Sequence, residues 1–319
     1  MRVLWRYAGL PTYGIPLDET RHVSMATQSS SHLSGAHASV QPEGEKGFQP
    51  MSVTDKVVLI TGAGRPNGIG AGIARCFSAD GAQVVITDLE GSPIEETLDS
   101  IPGSVSALLA DAASQQSMQQ AVDQILTDFG RLDVLVNNAG IGGPTLSFDE
   151  AESESPVLAT SDEAWDEQLR SNLHTTFASA SAAAPKLRDG GSIINIASIA
   201  ALGPTATLPA YGAAKAGVVH LTKTLAVQLA PRLRVNCICP GLLWTRAWEM
   251  LAERRKAADP AYANMTTRQV FEAIVAQITP LAGEQTPEDI GNLAVFYASE
   301  KARMITGQVI AVDGGISLN

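Results

Sequence analysis

The sequence predicts an α/β fold: a single domain on a doubly wound parallel sheet with helices on both faces. Three observations predict it. Short apolar runs alternate along the chain with longer stretches of helical spacing. The runs are apolar at consecutive positions, as in strands buried on both faces. Several end on Gly, Asp or Asn, the residues that close a strand and open a polar turn.

The elements follow in order. Residues 57–60 read as a strand ended by Thr61-Gly62, and 69–79 as a helix. Residues 83–87 form a second apolar run ending at Asp88, and 105–110 a third before Asp111. Met118, Val122, Ile125 and Phe129 give 114–129 helical spacing. Residues 132–136 are a strand before Asn137-Asn138, and 162–187 are mostly helical. A strand at 192–197, a long helix at 210–229, and strands at 234–238 and 309–312 complete the pattern. Such sheets bind ligands beyond the carboxyl ends of their strands.

Composition bounds the rest. The chain has 319 residues, 45% hydrophobic and 17% charged, which fits one large domain with attachments or at most two domains. A net charge of -11 repels phosphate backbones and excludes nucleic acid as the expected partner. An anionic cofactor stays compatible, because amides at a helix terminus bind phosphate locally. No apolar run spans a bilayer. Cys76, Cys237 and Cys239 form no disulfide framework, and Cys237 and Cys239 read as buried strand residues rather than metal ligands.

Residues 1–50 differ from the remainder. Six serines lie from Ser24 to Ser39, followed by Pro42, Gly44, Gly47 and Pro50. This reads as a disordered or loosely attached extension before a domain at 51–319. Its basic start is interrupted by Asp18 and Glu19, so a cytoplasmic location is expected over mitochondrial import.

Two groups of residues carry chemistry. Gly62, Gly64, Gly68 and Gly70, with Arg65 and Ile69, lie between a strand and a helix. Glycines there let the backbone approach a pyrophosphate, and the helix amides hold its charge. Asp88 follows Gly70 by 18 residues, the place of an acid that accepts from an adenosine ribose. Its charge repels a 2′-phosphate and favours NAD over NADP; Arg65 is the counterweight, either pairing with that phosphate or solvated. In the other half, Tyr211 and Lys215 are four apart on one helix face, and Ser198 ends the preceding strand. A nearby ammonium is expected to lower the tyrosine pKa, making it a general acid or base. Taken alone, the Tyr–Lys pair is equally readable as a helix tyrosine beside a surface lysine.

Together these motifs resemble the classical short-chain dehydrogenase/reductase family, from about residue 52 to 315. Thr61, Gly62, Gly68 and Gly70 match its cofactor loop. Asp88 matches the ribose acid, and Asp111 the acid near the adenine, helped by the amide of Ala112. Asn137-Asn138-Ala139-Gly140 matches the NNAG segment. Asn172 matches the asparagine that holds a relay water. Ser198, Tyr211 and Lys215 match the catalytic serine, tyrosine and lysine. Pro240-Gly241 and Thr245 match the segment closing over the nicotinamide, and Asp313-Gly314-Gly315 a C-terminal signature.

The resemblance implies a Rossmann-type domain, a nicotinamide cofactor, no metal, and a homotetramer with a dimer as alternative. It implies hydride exchange with a secondary alcohol or ketone. Lys215 is then expected on the nicotinamide ribose, and Ser198 on the reacting oxygen. Enoyl reduction, NADP-dependent ketone reduction and a catalytically silent nucleotide sensor are the competing readings.

The chain departs from the family pattern twice. Gly68 lies six positions beyond Gly62, two more than is usual, so Arg65-Pro66-Asn67 is expected to bulge. The connection at 141–160 is long and acidic, with Asp149, Glu150, Glu152 and Glu154, and reads as a solvated loop, an active-site rim or a subunit contact. Residues 244–278 read as a helical substrate cover. Trp244, Trp248, Met250, Tyr262, Met265, Phe271 and Ile274 point to an apolar, ring-bearing substrate. His174 and His220 have no metal or triad spacing and read as packing or solvent-facing residues.

Overall fold

A computed structural model describes residues 52–141 and 155–318. The 1–50 extension and most of the 141–160 insertion lie outside the described residues. The strands are β1 (Val57–Thr61), β2 (Gln83–Asp88), β3 (Val105–Leu109), β4 (Val134–Asn137), β5 (Gly191–Ile196), β6 (Leu233–Pro240) and β7 (Val309–Val312). All pair in parallel, in the order β3-β2-β1-β4-β5-β6-β7. The order reverses between β1 and β4, and the loops leaving these two strands open the crevice where such folds bind ligands.

The helices are α1 (Ile69–Ala79), α2 (Ile94–Ser100), α3 (Gln115–Phe129), α4 (Pro156–Ala159), α5 (Asp162–Leu169), α6 (Thr175–Ala183), α7 (Pro209–Leu229), α8 (Arg246–Ala258), α9 (Thr267–Ile278) and α10 (Pro287–Ala298). Successive strand residues face opposite sides, so each strand feeds two cores. Val58, Ile60, Val134, Val136, Ile194 and Ile196 pack with Phe77 of α1 and Tyr297 of α10. Leu59, Leu135, Ile193 and Val235 pack with Met118, Val122 and Ile125 of α3 and Ala183 of α6.

Local chemistry sets the helix ends. Ser114 caps α3 by accepting from the Ser117 amide, and Gly130 ends it at φ 70, the left-handed C-cap geometry. Close helix contact also depends on small residues. A side chain on Gly72 would strike Pro287, and one on Gly291 would strike Cys76, so α1 and α10 nearly touch.

Three helices were not among the expected elements: α2, the four-residue α4 inside the 141–160 connection, and α10. The seven-residue α2 buries only Ile94 and Thr97, so it carries little periodic signal. In contrast, α10 had a readable start: Thr286 and Asp289 form a reciprocal capping box, with Pro287 in the first turn. The expected 162–187 helix is interrupted by one π-helical turn, Arg170–His174. Such turns reorient side chains, often at functional sites, and this one holds Asn172. Cys237 and Cys239 are fully buried on β6, as expected. Among the described residues, no helix is long and apolar enough to cross a membrane.

Candidate active site

The loops after β1 and β4 are stitched together. Thr61 Oγ1 accepts from the amides of Asn138 (3.2 Å) and Ala139 (3.1 Å). Asn138 Nδ2 donates back to the carbonyls of Thr61 (3.0 Å) and Gly62 (2.8 Å). Gly62 has φ 66, and a Cβ there would lie 2.5 Å from Ala139 Cα. On Gly70 a Cβ would meet Asn138 Nδ2 at 2.6 Å. Glycine is therefore required sterically at both places.

The lengthened loop, residues 62–68, contains a turn of its own. The Gly68 amide closes a turn onto the Arg65 carbonyl at 2.9 Å, and Arg75 holds the Pro66 carbonyl at 3.0 Å. Arg65 itself is exposed. Asp88 reaches this loop: its carboxylate accepts from the Gly64 amide at 2.7 Å and the Leu89 amide at 2.8 Å. Asp111 accepts from the Ala113 amide at 2.8 Å and pairs with Arg170 at 3.2 Å. Ala112 is buried beside it.

Ser198, Tyr211, Ile69, Pro240, Gly241 and Thr245 converge on one cavity of about 220 Å³. Ser198 sits just beyond β5 and caps a short turn, its Oγ accepting from the Ala200 amide at 3.2 Å. Its side chain also lies near enough to the Tyr211 phenol to favour the ionised form of that group. Tyr211 and Lys215 come from one face of α7. Thr245 begins α8 without capping it, which leaves its hydroxyl free of that task. Gly241 packs so tightly on Asp313 that a Cβ would lie 2.7 Å from its Cα, which accounts for two separate motifs meeting.

Behind the cavity, Lys215 is buried, and Nζ donates to the Ile196 carbonyl at 3.1 Å. Nζ also lies 5.8 Å from the Tyr211 ring centre. Asn172 Oδ1 is buried without a hydrogen-bond partner. A Cβ on Gly140 would lie 2.7 Å from that oxygen and 3.3 Å from Lys215 Nζ. Gly140 thus keeps a gap between Asn172 and Lys215, which face the same point.

The electrostatics differ from expectation in one respect. Burial pushes the Tyr211 phenol above its ordinary value of 10, and only the neighbouring Ser198 side chain pulls it down. The expected lowering by Lys215 is not found. Lys215 points its Nζ at a backbone carbonyl, and desolvation lowers its own pKa to about 8, weakening its hold on a proton.

The 244–278 stretch folds largely into α8 and α9. Trp248 lines the cavity. Trp244 and Trp248 each pack on the buried Phe271 ring with centroids 5.3 Å apart. Leu208 and Leu251 line the cavity and were not singled out from the sequence; nothing in their local pattern marks them. Gln285 was also missed: its Oε1 accepts from the Gly241 amide at 3.0 Å, an anchoring role that no motif announces. His174 and His220 are exposed, with His174 against Phe177. Among the described residues, no cluster of three or more His, Cys, Asp or Glu is placed to hold a metal.

A family model described as enoyl-(acyl carrier protein) reductase matches residues 62–317. The chain is 38% identical over 266 residues to L-fucose dehydrogenase of Bos taurus, covering 82% of this chain and 90% of that protein. It is 31% identical to the 3-oxoacyl-[acyl-carrier-protein] reductase FabG of Thermotoga maritima, covering 83% and 99%. The solved structure of L-sorbose reductase from Gluconobacter frateurii, complexed with NADPH and L-sorbose, superposes with a TM-score of 0.73 at 28% identity, covering 85% and 100%. The protein belongs to the short-chain dehydrogenase/reductase family. It is an oxidoreductase of that type, acting between alcohols and ketones.

Proposed function

We propose that the protein is an NAD(H)-dependent dehydrogenase or reductase of apolar, ring-bearing secondary alcohols and ketones, with Tyr211 as its acid and base. The observation that carries this reading is the convergence of Ser198 and Tyr211 on one cavity otherwise walled largely by Leu208, Leu242, Leu243, Trp248 and Leu251. The glycine cradle and the unpartnered Asn172 Oδ1 fit a nicotinamide dinucleotide held by Gly62, Gly64, Gly68, Ile69, Gly70, Asp88, Asp111, Ala112, Asn138, Ala139, Gly140, Pro240, Gly241 and Thr245. When bound, that cofactor supplies or accepts the hydride.

Ser198 holds the substrate oxygen and stabilises charge that develops on it. In oxidation, Tyr211 as tyrosinate takes the hydroxyl proton; in reduction, the phenol returns it to the oxygen. Lys215 holds the nicotinamide ribose and favours tyrosinate once its ammonium is engaged there. Asn172, through water, passes protons between Lys215 and solvent. The four-residue step from Tyr211 to Lys215 supports alcohol–ketone chemistry over enoyl reduction. Self-association, as a homotetramer or dimer, is expected from the family resemblance.

Asp88 supports NAD. A 2′-phosphate beside this carboxylate meets like charge, and the exposed Arg65 is only partial compensation. NAD⁺ is expected to exceed NADP⁺ in kcat/KM by at least about tenfold, the equivalent of roughly 1.4 kcal/mol. Initial rates with both cofactors test this, and a preference for NADP⁺ contradicts it. L-fucose dehydrogenase favours a second substrate reading, a sugar. Cyclic apolar alcohols assayed beside aldoses separate the two.

Gly64→Ala tests the cradle independently. Its Cβ would come 2.7 Å from Asp88 Cβ, so the ribose acid must shift. Affinity for NADH is expected to fall about tenfold or more as Asp88 is displaced, with a stability loss of about 1–3 kcal/mol from overpacking that leaves the variant folded. A calorimetric titration with unchanged affinity contradicts the assignment.

A further inference from the structure

We propose that Ser92 is a second anchor for the adenosine ribose, donating a hydrogen bond beside Asp88; this rests on the nucleotide-site reading above. After β2 the chain turns back through Leu89-Glu90-Gly91. The Ser92 amide donates to the Leu89 carbonyl at 3.2 Å, and Gly91 sits at φ 83. The turn brings Ser92 over Gly64. A Cβ on Gly64 would lie 2.7 Å from Ser92 Oγ and 2.8 Å from Asp88 Oδ2. Both oxygens therefore face the same glycine, within about 5.5 Å of each other.

Their bonding differs. The Asp88 carboxylate already accepts from two amides. Ser92 Oγ is buried and has no hydrogen-bond partner, whereas buried polar groups are almost always paired. A carboxylate only accepts, but a hydroxyl also donates. Each hydroxyl of a ribose diol offers one proton and two lone pairs. Asp88 suits the protons and Ser92 the lone pairs, so the two side chains divide recognition of one diol. Neither the glycine pattern nor the acid at the strand end marks Ser92.

The test is calorimetric titration of the full chain with ADP, with 2′,3′-dideoxy-ADP and with NADH. Ser92→Ala is expected to weaken ADP and NADH about 3- to 10-fold, the range of one net hydrogen bond, and to leave dideoxy-ADP unchanged. Ser92→Thr, which keeps the hydroxyl, is expected to retain most of the affinity. Wild-type affinity for ADP and NADH in Ser92→Ala overturns the proposal. So does an equal loss for ADP and dideoxy-ADP, which marks a purely structural role in the turn. A wild-type protein that binds none of these ligands overturns the nucleotide-site reading itself, and this proposal with it.

Discussion

Replacing Tyr211 with Phe is expected to reduce turnover about 10²- to 10⁴-fold, the usual contribution of a positioned proton donor, while NADH affinity stays within a few-fold of wild type. The substitution removes one oxygen from a ring held by α7 and leaves the cofactor loops untouched. Ser198 keeps its bond to the Ala200 amide, so the short turn after β5 survives. Steady-state rates and NADH titrations on the same preparation check both parts. A variant with wild-type turnover contradicts the assignment of Tyr211. The pH dependence has a definite sign. Because burial raises the Tyr211 pKa, tyrosinate is scarce near neutrality, and its fraction grows about tenfold per pH unit below that pKa. Oxidation is therefore expected to accelerate from about pH 6 to 8, whereas reduction, which uses the phenol, stays nearly level over that range.

Lys215→Met is expected to move activity and stability in opposite directions. Turnover falls about a hundredfold or more, because the group assigned to hold the nicotinamide ribose and to pass protons toward Asn172 is lost. Stability rises. The amine ionises at 10.5 ordinarily but at about 8 in this fold, where desolvation penalises its charge. Below about pH 8 both folded and unfolded chains hold the proton, and the fold carries the full cost of the buried charge. Between about 8 and 10.5 the unfolded chain holds a proton that the folded chain lacks, so stability from this group increases with pH. At pH 7 the methionine variant is expected to be about 1–3 kcal/mol more stable, after allowing for the lost bond to the Ile196 carbonyl. That advantage shrinks as pH approaches 10. Urea unfolding at pH 7 and pH 10 checks it, and a variant less stable at pH 7 contradicts it. A charge kept at such cost fits a site where activity opposes stability.

Much of this was legible in the chain. The unbroken apolar runs at Val57, Val84, Val134 and Ile193 gave the parallel sheet, because strands covered on both sides need no polar alternation. Gly62 and Gly70 were legible because only glycine fits there, and Ser198, Tyr211 and Lys215 because the roles proposed for them limit the residue types allowed. What was not legible depends on packing between distant segments. Ser92 and Gln285 are ordinary polar residues until the fold sets them against Gly64 and Gly241. The π turn at Asn172 alters hydrogen-bond register without altering helical spacing in the sequence. The raised Tyr211 pKa was misjudged because helix spacing places Lys215 nearby but says nothing of burial or of where Nζ points. Phe271 could be placed in the helical 244–278 stretch from the sequence, but its contact with Trp248 could not.

The most direct test of the central claim follows the hydride itself. Cyclic apolar secondary alcohols deuterated at the carbinol carbon are incubated with NAD⁺ and the protein, and the cofactor is analysed by mass spectrometry. The account predicts one deuterium in the reduced cofactor per ketone formed with wild-type protein, and almost none formed with Tyr211→Phe. A wild-type protein that binds NADH yet transfers no deuterium from any alcohol in the panel would contradict it.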